Sequence, residues 1–389
     1  MPQPAPRLPQ HGAVRRRRKA LLAVALLLAW LPARAATYAF PGQLPATCSA
    51  NSSGTYSCSG LTLAAGDTIS ISVATTITVN GPLKTGLLSR INPGASPTRL
   101  NLVVTGTTSL GDYAILNANL NGGGAITTGA YSNVAGNLTT VAGVINIGAH
   151  GTVAGALRTD SAAINTGDFS SITGAITSTI AGVITIGADS NVVGNLTTAS
   201  GAINIGARSF IDGSITSLIA GAITVGANAK VTGSVATTYH GSDVGAGAIT
   251  LEDNVEVKGV LATYTGAITS GTSSKVSGSI STNDGAITVG DDANVGGAVC
   301  TGSSGAITVG DRTNVGGNIE TALAGAITVG NLSNVGGAVT VRNAGARTIA
   351  PDARIGSMIG SSCGAVAVKA GPPHAFKIKA RQWRQLFMR

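Results

Sequence analysis

A short motif, GAITVG and its variants, returns along most of this chain at a nearly fixed interval. Copies start at Gly124, Gly143, Ala162, Gly182, Gly201, Gly221, Gly247, Gly266, Gly285, Gly305 and Gly325, with a degenerate copy at Gly345. Every interval is 19 or 20 residues except the 26 between Gly221 and Gly247. Residues 106–123 read as a weaker first copy. A period near 20 held this often predicts a solenoid, in which each copy packs on its neighbours alone, rather than a set of separate domains.

Within a copy, the alternation says which way the side chains point. The third position is Ile throughout, from Ile126 and Ile145 to Ile307 and Ile327, and the fourth is Thr or Asn. That period of two is a strand with one buried face. Eight residues on, aliphatic, glycine and aliphatic residues alternate, as in Val134, Gly136, Leu138 and Val295, Gly297, Val299. The glycine column suits an inward point where the chain approaches itself too closely for a side chain. The prediction is an all-β fold: a single-stranded, right-handed parallel β-helix of 12–13 coils, rising about 4.8 Å per coil to roughly 60 Å. A propeller fits less well, because a blade needs about 40 residues and four strands.

Composition agrees with a narrow aliphatic interior. Only 3% of the 389 residues are aromatic and 11% are charged, while 43% are hydrophobic and 55 are Gly. A disordered chain carries little hydrophobicity and much charge, and collagen needs glycine at every third residue. Neither description fits.

The net charge of +9 does not point to nucleic acid once the charges are placed. Residues 1–35 carry seven Lys/Arg and no acid, which leaves +2 for the rest. From Gly106 to Gly345 there are seven basic and fourteen acidic residues, so a basic stripe for phosphates is missing from the body.

Four segments follow. Residues 1–35 read as a secretory signal: Arg15 to Lys19 form the charged region, Ala20 to Leu31 the apolar region, and Ala33-Arg34-Ala35 the cleavage site. Residues 36–105 read as an N-terminal β cap and opening coils with a cystine loop, residues 106–364 as the repeats, and residues 365–389 as a basic, aromatic tail. Export permits disulfides. Cys48 and Cys58 flank a turn-rich stretch and are expected to pair, whereas Cys300 and Cys363, 63 residues apart, are not expected to bridge along a straight rod. In the tail, Trp383, Leu386 and Phe387 fall at helical spacing beside Arg384. Trp383, Arg384 and Phe387 are therefore candidates for a partner or membrane contact, with a cap over the last coil as the favoured alternative.

The opening ATYAFPGQLPATCSANSSGTYSCSGLTLAAGDTISI, followed by repeats of the form GAITVG and VGGAV, resembles the extracellular repeat region of MSHA pilus biogenesis proteins of the MshQ type. The repeats are also similar to those of bactofilin-like polymer-forming proteins. The resemblance covers residues 36 to about 365. It implies a bacterial envelope or surface role without enzymatic chemistry or a cofactor.

Candidate chemistry on the rod is sparse. Asp291 and Asp311 share a repeat position, with Asp292 and Arg312 beside them, and solvated corner charge outweighs a calcium or catalytic site. His150, His240 and His374 are scattered and read as surface residues. Neither an HExxH motif, a phosphate loop nor a nucleophile elbow occurs. The outward Thr/Asn column, which includes Thr185, Thr224 and Thr288, suits sheet formation and Asn stacking at least as well as an ice-binding face. The expected role is a secreted structural, adhesive or assembly protein, meeting envelope or surface components or joining end to end. The tail offers its one membrane contact, and a carbohydrate-active β-helix enzyme is the alternative.

Overall fold

The computed structural model describes residues 35–237, 246–343 and 345–358. The chain divides between Ala36 and Thr37 into two compact units, and every strand described lies in the second. That unit is a β-solenoid of about 15 turns, in which three parallel sheets of sixteen, fifteen and sixteen strands run the length of the stack. At about 4.8 Å per turn the stack measures roughly 70 Å. Among the described residues the sole helical element is a 3-10 turn at Pro97–Arg99, and no helix is long and apolar enough to cross a membrane.

One coil shows the plan. Ile126–Thr127 lies in the second sheet, Asn133–Ala135 in the first and Leu138–Thr140 in the third, and Ile145–Ile147 then returns to the second. Each strand pairs with its equivalent one coil away, Ile126 with Ile145 and Leu138 with Leu157. Backbone bonds such as Ile126 N–H to the Val144 carbonyl, at 2.9 Å, carry the stacking. The Ile column from Ile126 to Ile327 is buried throughout. Each such side chain contributes about 1.5–3 kcal/mol on leaving water.

The structure amends the sequence reading in two places. The rod is longer than 12–13 coils, because strands such as Leu61–Leu63, Thr68–Ile71 and Thr75–Val79 already stack in the three sheets ahead of the clear repeats. Their spacing varies and they lack the GAITVG motif, so periodicity alone undercounts them. The Val134, Gly136, Leu138 alternation is also not one strand. Gly136 stands at a corner between two sheets, and the crowding there runs along the rod rather than into its interior: a Cβ on Gly136 would lie 2.1 Å from the Ala118 carbonyl oxygen of the preceding coil.

At the N-terminal end the third sheet begins with an antiparallel hairpin, Cys48–Ser52 and Thr55–Cys58, and Cys48 is disulfide-bonded to Cys58 as expected. Cys300, on the strand Val299–Thr301, is disulfide-bonded as well. Cys363 lies outside the described residues, so the expectation about the Cys300 and Cys363 pair goes with it; Cys300 itself is no free thiol. The insertion around Tyr239 to Asp243 and the tail with Trp383, Arg384 and Phe387 also fall outside the described residues.

Candidate functional site

The chemistry on this rod gathers at the corner where the second sheet passes to the first. The seventh residue after each copy start turns that corner, and it takes a left-handed backbone with φ between 53° and 60°, from Tyr113 through Asp189 and Asn228 to Leu332. Glycine and asparagine adopt that conformation readily, and a bulky side chain there costs of order 1–2 kcal/mol. The chain nevertheless places bulky residues at many of these positions.

In four successive coils the corner residue is a ring. Tyr113 stacks on Tyr131 with centroids 4.9 Å apart, Tyr131 on His150 at 4.4 Å and His150 on Phe169 at 4.8 Å, and the planes lie within 4° of parallel. The coil repeat itself fixes the spacing, since equivalent side chains stand one strand-to-strand step apart. The rings remain on the surface: Tyr113, Tyr131 and Phe169 are 49%, 48% and 53% exposed, and Leu87 and Leu88, at the corner of the coil before, are equally open. His150 is thus no isolated surface residue but one rung of a stack.

Further along, the same column carries charge. Asp189 accepts two hydrogen bonds from the Arg208 guanidinium of the next coil, at 2.7 and 2.6 Å. Asp292 and Arg312 repeat the arrangement. The guanidinium hydrogen bonds hold both carboxyls below their ordinary range. On the adjoining face of the first sheet, Lys230 reaches Glu256 at 2.8 Å, and this contact likewise lowers the Glu256 carboxyl.

The acids one residue before the corner have a different duty. Asp112, Asp168, Asp253 and Asp291 each accept a backbone N–H from the next coil, from Ala130, Ala188, Thr272 and Asp311, at 2.8 Å in every case. Asp311 does the same for Asn331 at 2.7 Å. Strand pairing leaves these corner amides over, and a carboxylate satisfies them well. Asp291 and Asp311 therefore sit one above the other as the sequence indicates, each with one carboxylate oxygen engaged by backbone. Among the described residues no group of three or more His, Cys, Asp and Glu side chains is placed to hold a metal ion.

The outward face of the second sheet carries the Thr/Asn rank. Asn165 donates to the Asn146 side chain at 2.9 Å, and in the first sheet Asn334 donates to Asn314 at 2.8 Å, so the asparagines form ladders. Thr288, Thr308 and Thr328 stand exposed in register on consecutive coils. On the third sheet, Ala236, Ala262, Cys300 and Glu320 occupy outward positions and are buried all the same. Glu320 is in contact with Arg342.

Comparison with known proteins finds no matching family model, no matching curated protein and no matching solved structure. The ring column escapes a reading by motif, since its members differ in type. Reading down the eighth position of the aligned copies reveals it.

Proposed function

We propose that this chain is an exported, non-enzymatic rod that serves as a structural, adhesive or assembly component of the bacterial cell envelope. The observation that carries this reading is the use made of the corner acids: Asp112, Asp168, Asp253, Asp291 and Asp311 each spend one carboxylate oxygen on the backbone of the adjacent coil. A hydrolytic site needs a carboxyl aimed at substrate, with its proton adjusted for transfer. These corner acids instead hold the coils in register. The Cys48–Cys58 bond suits an oxidising compartment outside the cytoplasm, in keeping with the signal-like residues 1–35. The long ranks of Thr, Asn and Ala offer a repeated surface to a partner of the envelope.

Two measurements on the full chain test the proposal. Immunogold labelling of intact cells should place the protein at the envelope, and a panel of cell-wall and capsular polysaccharides should show no new reducing ends after incubation with it. Labelling confined to the cytoplasm, or steady depolymerisation of any one polysaccharide, overturns the reading.

A further inference from the structure

We propose that the stacked rings form a self-association surface on which two copies of this chain pair side by side and antiparallel, about a two-fold axis at Tyr131. The inference deepens the structural reading above by naming a partner, a second copy, and a mode of contact.

Energetics first separate the ladder from a purely stabilising device. Stacking adds only a modest gain per aromatic pair. Holding a bulky residue in the left-handed region costs a similar amount or more. The stack therefore does little more than cancel its own backbone cost. Asn228 and Asn254 meet the same corner geometry without that cost. Rings half open to water at successive corners are better explained by what they contact outside the coil.

Area and pitch then choose the occupant. A contiguous exposed apolar patch larger than a few hundred Å2 marks an interaction site. A covered aromatic side chain buries about 150–250 Å2. Three half-exposed rings and exposed His150, together with Leu87 and Leu88, thus offer roughly 500 Å2. Two such stripes bury about 1,000 Å2 in all, the size at which a specific interface begins to hold. A partner must also match rungs set 4.4–4.9 Å apart to touch each one. A second copy has that pitch by construction.

The sequence of rungs fixes the direction. The uncharged run is Leu88, Tyr113, Tyr131, His150 and Phe169, with Tyr131 at its centre. An antiparallel pair centred there sets Tyr131 against itself, Tyr113 against His150 and Leu88 against Phe169. A parallel pair sets every rung against its own copy and so brings Asp112 and Asp168, beside Tyr113 and Phe169, against their like-charged equivalents. The antiparallel contact is isologous and closes as a dimer.

Sedimentation and small-angle scattering of the full chain, expressed with its own N-terminal segment so that any processing is retained, test this. The expected particle is a dimer about one and a half times the length of one rod, because the ladder lies toward one end. Tyr131→Asn, which installs the residue found at this corner in Asn228 and Asn254, should weaken the dimer by about thirtyfold or more and leave the far-ultraviolet circular dichroism unchanged. Tyr131→Cys should form an intermolecular disulfide with its own copy, whereas Thr288→Cys should not. A monomeric wild type, a dimer indifferent to Tyr131→Asn, or a particle of doubled length from end-to-end joining each overturns the proposal. Envelope labelling with a monomeric chain would sink the pairing and spare the structural reading; a dimer that cleaves polysaccharide would do the reverse.

Discussion

Arg312 donates through Nε and Nη2 to both carboxylate oxygens of Asp292, each at 2.7 Å, across one step of the coil stack. The pair holds the Asp292 carboxyl below its ordinary range, chiefly through the side-chain hydrogen bond from Arg312. Asp189 with Arg208 and Glu256 with Lys230 are lowered in the same sense. A carboxyl depressed on folding contributes stability that is fully present above its unfolded pKa, near 4, and is lost as pH falls through the folded value. Melting temperature should therefore hold level at neutral pH and fall below about pH 4. In Asp292→Asn that acid-side fall should be shallower than in the wild type. Superimposable profiles for the two would mean that the ion pair is screened into irrelevance.

The closest steric tolerance among the described glycines is at Gly182, which opens its copy. A Cβ on Gly182 would lie 1.7 Å from the Ala162 carbonyl oxygen of the coil before. Neither backbone can retreat without parting the sheets, so Gly182→Ala should cost about 3 kcal/mol, the upper end for overpacking. Thr288→Val, at an exposed strand position, should stay within about 0.5 kcal/mol of wild type. Chemical denaturation of both variants checks the contrast, and equal midpoints would refute it.

Leu332 pays for its corner with no visible return. It has φ 54° and is 64% exposed. Leu332→Asn keeps the backbone N–H that bonds Asp352 and relieves the left-handed strain, so it should stabilise the rod by about 1 kcal/mol. A lower melting temperature for this variant would show that the leucine has a packing role after all.

Cys300 should resist alkylation in denaturant without reductant and react after reduction, since it is disulfide-bonded. Non-reducing peptide mapping identifies the partner. Recovery of alkylated Cys300 from unreduced protein is the contrary result.

The period of the repeat, the buried Ile column and the outward Thr/Asn rank were all readable from the chain, because a strand's two-residue alternation writes burial directly into residue type. The three-sided coil was harder to see. Val134 and Leu138 keep the alternation in phase across Gly136, so a corner looks like a continuous strand. The ring ladder was hidden for another reason. Tyr113, Tyr131, His150 and Phe169 are 18, 19 and 19 residues apart, and such contacts become visible when the copies are laid one above another. The partners of the corner acids were equally hidden, because a backbone amide leaves no trace in residue type.

The left-handed corner also separates two kinds of information. The fold dictates the backbone at this position and leaves the side chain free to vary, as Tyr131, Asp189, Arg208, Asn228 and Leu332 demonstrate with nearly the same φ. The column behaves like a row of type set on a ruler: any character fits each slot, every slot stands about 4.8 Å from the next, and changing one leaves the aliphatic spine untouched. New surface chemistry could be composed along such a ruler by substitution at the eighth position alone. Duplicating a whole coil would lengthen the line without rewriting what already stands on it.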